Sequence, residues 1–558
     1  MCGLAGWTST TAAADAAALA GMVESLAHRN GGADLCAVID EQPRRAVVLA
    51  ASFTDEVNGL SVALDGPLVN ASTLRAELAR KGYPFSGDSD AEVLARAYQH
   101  WDKEVVKLLR GAFAFALWDA NKERLMLARD RFGQKPLYLA QSGSALVFAS
   151  EIKALVRAPG VKAQVDVDAV GEYLAQRYVR GPRTLVKDVR KLAPGTYAVW
   201  QFGNLRETRY WTPPDSTTGV ETANGDSVAG FIDQLDEAVR LQMCSGAGVL
   251  LSGGYDSAAI LALMSRHAKE VPTFSAGFAD DKKSELPAAA RLAKHFGTQH
   301  HEITLQKRDV LAELPQLVAA RDAPFCRPAD VALYLLAREA ARHVKVALSG
   351  DGGDEILGGY RRHTFLRGLA PSRADRKMRA NGLFVIPVHD PAQPETGELR
   401  QILYYEQTGW LADNLLERTD RMSTVASLEL RTPFLDHRVA EYVSALPDAA
   451  RVRGLSTKWI LRKADERLLV TNGADFKPRK AGFRISLAEP MRGDLKDLLV
   501  DHLRGPSCLT RAYYDAAVLD RTLDEHLANK RNHEEILWTL LNLEIWHRNL
   551  RSCATPAG

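Results

Sequence analysis

The sequence predicts a mixed α/β protein in two parts: a layered sheet domain, then a domain built on a parallel sheet covered by helices on both faces. Three observations lead there. The first 210 residues alternate short apolar runs with turns and carry few helical patterns. A polar, proline-containing stretch then interrupts the chain. Beyond it, apolar strands, glycine turns and helices recur in that order, the pattern of a parallel sheet.

Size and composition agree. A chain of 558 residues exceeds one core, and two to four domains are expected. Apolar content of 46% and charged content of 25% are those of a globular protein. The formal charge of +2 gives no electrostatic reason for nucleic acid or an acidic membrane as partner. The six cysteines are scattered, without CxxC or Cys/His ligand spacing, so zinc is not expected. So few thiols fit a reducing compartment. No signal-peptide pattern is evident at the start, and no run approaches the ~20 apolar residues of a membrane span. A cytoplasmic enzyme is the expectation.

The elements follow in order. AEVLARAYQHW (Ala91–Trp101) has helical spacing of its apolar residues. AFAFALWD (Ala112–Asp119) and RLMLARD (Arg124–Asp130) read as a hairpin, and LVFAS (Leu146–Ser150) as a further strand. Residues 212–226, TPPDSTTGVETANGD, read as a linker between domains at 1–211 and 227–558. GVLLSGGYDSAAILAL is strand, glycine turn, helix. TFSAGF is a strand, PAAARLAKHFG a helix ending at Gly297, and VKVALSGDGGDE again strand then glycine turn. From about Leu411 the pattern is mostly helical.

The two glycine turns carry the chemistry. In SGGYDS (Ser252–Ser257), the N–H groups of Ser252, Gly253 and Gly254 are expected to face outward at a helix N-terminus, where donors and dipole favour phosphate. Asp256 would repel phosphate unless a cation stood between them, which points to Mg²⁺. The turn is not a GxxxxGK[ST] loop. The second turn, SGDGGDE (Ser349–Glu355), holds three carboxylates, Asp351, Asp354 and Glu355, suited to metal or substrate handling. C-terminal strand ends of a parallel sheet share one crevice, where ligands bind.

At this point a resemblance emerges. SGGYDS, TFSAGF, GTQHHE, SGDGGDEILGGY, DRMSTVASLELRTPFLDH, STKWILRKA and PRKAGF resemble the asparagine synthetase family in order and spacing. The resemblance implies ATP and Mg²⁺ as cofactors, adenylation of a carboxylate with aspartate as first candidate, and attack by an amine. It implies that Leu251, Ser252, Gly253, Gly254, Ser257, Ser349 and Gly350 hold ATP, and that Asp256 and Asp354 hold Mg²⁺. Asp354 and Glu355 would face substrate, Asp351 would assist the amine, and Lys458 and Lys480 would stand near the leaving group. Lactam-forming relatives carry tyrosine where this chain has Asp351. Small-molecule substrates are the implied partners, with a homodimer as the assembly to test.

GDSDAEVL, RGAFAFALWD, ARDRFGQKPLY and FASEIKAL are similar to the family's class II glutaminase domain, a four-layer αββα fold with an N-terminal nucleophile. That likeness makes Cys2 the nucleophile once Met1 is removed, with Asp90 and Gly66 binding glutamine. Arg44 and Arg45 are candidates for the glutamine carboxylate. The family's HRGPD reads HRNGGAD here (His28–Asp34), and its NGE reads Asp65-Gly66-Pro67. The family Asn donates to the tetrahedral oxyanion, whereas an ionised Asp65 can only accept. Weak or absent glutaminase activity is therefore expected, with free ammonia or another amine as donor. The segment DAPFCRPADVALY (Asp322–Tyr334) replaces the family's DEPFADPS near the expected substrate crevice. These departures keep open a specialised amide or β-lactam synthetase; a non-catalytic scaffold is the remaining rival.

Overall fold

The computed structural model describes residues 3–9, 16–30, 36–42, 45–51, 53–55, 58–143, 145–214, 226–278, 284–366, 382–388, 398–470 and 485–553. The chain divides into two compact units: residues 1–164, 180–213 and 553–558, and residues 165–179 with 214–552.

The first unit holds two antiparallel sheets of six strands each. In chain order the strands are β1 (Ala5–Ser9), β2 (Cys36–Gln42), β3 (Arg45–Ala51), β4 (Phe53–Asp55), β5 (Leu60–Asp65), β6 (Ala114–Asp119), β7 (Arg124–Arg129), β8 (Tyr138–Ser142), β9 (Ala145–Ala149), β10 (Val189–Lys191), β11 (Thr196–Gln201) and β12 (Asn204–Arg209). One sheet runs β10-β8-β9-β1-β3-β2, the other β12-β11-β7-β6-β5-β4. The hairpin expected at 112–130 is β6 paired with β7, Ala116 opposite Leu127.

The unbroken apolar run of β6 has a simple cause. Ala114, Ala116 and Trp118 pack with Leu4, Leu139 and Phe148 in the layer between the sheets. Phe113, Phe115 and Leu117 face the other way, onto Leu74, Leu78, Leu94 and Tyr98 of helices Ala71–Arg80 and Asp90–Trp101. Alternate residues of one strand thus fill two cores. Helices Ala16–Ser25 and Ile152–Leu155 lie against the other sheet. The layers are helix, sheet, sheet, helix.

The second unit is built on five parallel strands: β13 (Gly248–Leu250), β14 (Thr273–Phe278), β15 (His300–Leu305), β16 (Val346–Leu348) and β17 (Glu429–Arg431). Their spatial order is β15-β14-β13-β16-β17. The chain walks outward from β13 through β14 to β15, then restarts on the other side with β16 and β17. This reversal lies between β13 and β16, and such a switch point opens a crevice at the carboxyl ends of its strands. Helix Leu286–Phe296 ends at Gly297 with φ +63°, as its sequence predicts.

Helix Val167–Gln176 belongs to this unit, although sequence reading groups it with the residues before it. Its Tyr173 hydroxyl donates to the Thr539 carbonyl at 3.1 Å. Among the described residues no helix is long and apolar enough to cross a membrane. The linker expected at 212–226 lies mostly outside the described residues.

Candidate active site

Both glycine turns fall at the switch point, one after β13 and one after β16. In the first, Gly253 stands at φ +77°, and a Cβ there would lie 2.8 Å from Ala288 Cβ and 2.9 Å from the Ala289 nitrogen. Only glycine turns so close to another helix. Ser252 N–H donates to Ser257 Oγ at 3.1 Å, and Gly254 N–H to Ser252 Oγ at 3.3 Å. This corrects one expectation: two of the three loop N–H groups are engaged by the loop's own hydroxyls. Short serine side chains compete for nearby backbone donors. Leu251 is buried, its N–H donated to the Phe274 carbonyl at 2.8 Å.

The second turn closes directly onto the first. A Cβ on Gly350 would lie 2.7 Å from Asp256 Cβ, and one on Gly353 would collide with Asp256 Oδ1. Ser349 anchors the turn, its Oγ accepting from Asp351 N–H at 3.2 Å and its own N–H donating to the Arg431 carbonyl at 2.8 Å. Glycines at 350 and 353 therefore let two loops nearly a hundred residues apart in sequence share one wall.

Lys458 joins them. Its Nζ lies 2.5 Å from both carboxylate oxygens of Asp256 and 2.7 Å from Asp354 Oδ1. Gly359 makes room, since a Cβ there would collide with Asp354 Oδ1 and Lys458 Cε. Burial pulls the Lys458 ammonium down, but Asp256 and Asp354 outweigh it and hold the pKa above its ordinary value. Lys458 also sits at φ +50°, a backbone conformation that non-glycine residues seldom adopt and that recurs at functional sites.

The remaining carboxylates separate. Asp351 Oδ2 accepts from Thr419 Oγ1 at 2.9 Å, and its Oδ1 lies 3.7 Å from Arg418 Nη2. Glu355 is buried and turned toward Tyr360, whose hydroxyl donates to it. Burial, then Glu355 and Asp354, push the Tyr360 pKa well up. Cys326 packs with Tyr178 and Trp410, and burial raises its thiol pKa.

The donor set suits Mg²⁺. An ammonium already bridges Asp256 and Asp354, so the position accepts a cation. Among the described residues no cluster of three or more His, Cys, Asp or Glu side chains could hold a metal by itself. Mg²⁺ asks for no such cage, being bound by one or two carboxylates together with water and substrate phosphates.

The first unit has its own polar centre. Asp65, the last residue of β5, is fully buried. Its Oδ2 accepts from Arg29 Nη2 at 2.9 Å and from Ser150 Oγ at 3.1 Å. Lys135 Nζ lies 3.9 Å from its Oδ1. Arg29 Nη1 also donates to Glu151 at 2.9 Å. Ser150 Oγ in turn accepts from the Leu4 N–H at 2.9 Å, two residues from Cys2. Gly66 stands at φ +101°, where a Cβ would collide with the Ala112 carbonyl. Asp90 accepts from the Leu68 N–H at 2.9 Å, tying its helix to the loop after Gly66.

Cys2, Arg44 and Lys480 lie outside the described residues. Sequence reading missed Arg29, Lys135, Ser150, Arg418 and Thr419. Arg29 was within reach, since it stands in the stretch HRNGGAD already singled out.

Comparison with known proteins finds two domain families along the chain. Residues 230–548 match the family described as asparagine synthase, and residues 1–211 match the glutamine amidotransferase domain. The chain is 29% identical to asparagine synthetase [glutamine-hydrolyzing] 1 of Bacillus subtilis, over 89% of this chain and 86% of the relative. It is 32% identical to a putative asparagine synthetase [glutamine-hydrolyzing] of Mycobacterium bovis, over 87% of this chain and 83% of the relative. It is 24% identical to amidase chyE of Penicillium rubens, over 77% of this chain and 78% of the relative. With its glutaminase-type sheets, its switch-point glycine turns and these matches along its length, the chain belongs to the asparagine synthase family of ATP-dependent, amide-forming carbon–nitrogen ligases.

Proposed function

We propose that the second unit adenylates the side-chain carboxylate of aspartate and passes the acyl group to ammonia, releasing AMP and pyrophosphate. The meeting of Asp256, Lys458 and Asp354 where the two glycine turns touch carries this reading. ATP's phosphates would lie along Ser252–Ser257, the loop N–H groups and hydroxyls exchanging their internal hydrogen bonds for phosphate oxygens. Mg²⁺, held by Asp256 and Asp354, would offset part of the triphosphate charge. A carboxylate oxygen bonds to the α-phosphorus as the bond to pyrophosphate breaks. Lys458, with Lys480, stabilises the charge growing on the departing pyrophosphate. Asp351 takes a proton from the amine as the C–N bond forms and AMP leaves.

The first unit is assigned weak glutaminase activity. Cys2 is its nucleophile and Asp90 its site for the glutamine amine. Asp65 supplies an acceptor where the tetrahedral oxyanion needs a donor, and losing one such donor costs about 10²–10³ in rate. Ammonia or another amine then serves the second unit directly.

One observation favours a second reading, a specialised amide synthetase with a different acyl substrate. The segment Asp322–Tyr334 brings Asp330 against Arg418, which neighbours Asp351. A single panel tests both: pyrophosphate release with ATP and Mg²⁺ across amino acids and other carboxylates, each with glutamine, ammonia or no amine. Aspartate-dependent release supports the first reading. Release with another carboxylate and none with aspartate overturns it in favour of the second. No release with any carboxylate overturns both.

A further inference from the structure

Four side chains of alternating charge run in a row to the end of β16. Arg321, 1% exposed, has Nη1 at 3.7 Å from Asp330 Oδ2. Asp330 Oδ1 accepts from Arg418 Nη1 at 3.3 Å. The other side of the same guanidinium puts Arg418 Nη2 3.7 Å from Asp351 Oδ1. Thr419 Oγ1 donates to the remaining Asp351 oxygen at 2.9 Å.

Asp330 is fixed at its own end. It lies in the first turn of helix Ala329–Ala340, is 3% exposed, and its Oδ2 accepts from the Arg327 N–H at 3.1 Å. Arg321 is steadied by Asn414, whose Oδ1 accepts from Nη2 at 3.2 Å. Neither partner of Asp330 is adjacent to it in sequence, so the row is set by the fold.

The geometry decides what the row does. A guanidinium with one carboxylate neighbour closes on it in a two-pronged pair. Such a pair would occupy Asp351 and stabilise its ionised form, which makes a poor proton acceptor. Here Arg418 has two carboxylate neighbours and stands closer to Asp330 than to Asp351.

We infer that Asp330 is a positioning residue for amide formation: by holding Arg418 off Asp351, it leaves an Asp351 oxygen open to the proton of the attacking amine. The inference rests on Asp351 serving as that acceptor. It assigns a task to the stretch Asp322–Tyr334, which departs from the family pattern. With Asp330 gone, Arg418 closes on Asp351 and the second half-reaction slows more than the first.

The experiment uses the full chain and the carboxylate giving the fastest pyrophosphate release in the panel above. Two rates are measured for each variant: ATP–pyrophosphate exchange for adenylation, and amide formed at saturating ammonia for transfer. Asp330→Asn should lower transfer by about 10–100-fold, the cost of a misplaced catalytic group, and lower exchange much less. Asp330→Glu, which keeps a carboxylate for Arg418, should recover most of the transfer rate. It also serves if loss of the charge beside buried Arg321 prevents folding of Asp330→Asn. Asp351→Asn should lower transfer by about 10²–10⁴-fold, and Asp330→Asn should add nothing in that background. Multiplying effects of Asp330→Asn and Asp351→Asn, or equal loss of exchange and transfer in both Asp330 variants, would overturn the role of Asp330 alone. Unimpaired transfer in Asp351→Asn would overturn the acceptor reading and this inference with it.

Discussion

Arg29 donates to Asp65 at 2.9 Å, and neither side chain touches solvent. Asp65 thus sits at the end of β5 inside a ring of donors, Arg29, Ser150 and the more distant Lys135. The anion is balanced, yet the balance does not turn it into a donor. Among the described residues its Oδ1 has no hydrogen-bond partner, where an asparagine would carry either an acceptor or an N–H.

The first prediction concerns that oxygen. Asp65→Asn keeps an acceptor for Arg29 and Ser150 and adds an N–H beside Gly66. Glutamate release from glutamine should rise by about 10²-fold, the inverse of losing an oxyanion donor. The gain should vanish in the Cys2→Ala background. Glutaminase rates equal to those of the parent would show that Asp65 is not what limits the site. As a control, Arg29→Met strips a buried cation from two carboxylates, Asp65 and Glu151, and should cost about 3–5 kcal/mol of stability.

The turns themselves are legible in sequence because their residues are contiguous. SGGYDS and SGDGGDE announce glycine at the tight positions, and the structure uses Gly253, Gly350 and Gly353 for close approach. The run AFAFALWD is legible as a strand, and the structure buries both of its faces. What could not be read is pairing across the fold. Arg29 and Asp65 are 36 residues apart, Ser150 and Asp65 85, and Asp330 and Arg418 88. No local period encodes which buried cation meets which anion, and Arg29, Asp330 and Arg418 taken alone read as ordinary surface charges. The partner of helix Val167–Gln176 is hidden for the same reason, since Tyr173 and Thr539 are 366 residues apart.

The second prediction concerns Lys458. Its ammonium separates Asp256 from Asp354, so Lys458→Met should leave two neighbouring carboxylates in mutual repulsion. Pyrophosphate release should fall by at least about 10²-fold, as charge stabilisation of the leaving group is lost. The variant should also gain a readout that the parent lacks. Mg²⁺ without ATP should raise its melting temperature in a concentration-dependent way, because the cation binds only the folded pair. A Lys458→Met protein whose melting ignores Mg²⁺ would argue against Asp256 and Asp354 as metal ligands.

The third prediction lies behind Lys458, on helix Trp459–Val470. Asp465 is 1% exposed, and among the described residues neither carboxylate oxygen has a hydrogen-bond partner. Burial first, then the charge of Asp256, push its pKa well above the usual carboxylate range, while Lys458 and Arg462 pull the other way. The folded form therefore holds this proton more tightly than the unfolded chain does. Stability is lost as pH rises from the ordinary carboxylate pKa toward the folded one, and the loss persists above it. Asp465→Leu, similar in size and without a polar head, should remove that cost. Relieving an unsatisfied buried polar group is worth about 1–3 kcal/mol. The variant should melt several degrees higher than the parent at pH 8, and the difference should shrink as pH falls toward about 3, where the carboxyl is largely protonated in both states. Melting curves of the two proteins across that range decide it: a gain that does not depend on pH would mean that folding does not raise the Asp465 pKa, and a loss at pH 8 would mean that Asp465 is held for its charge.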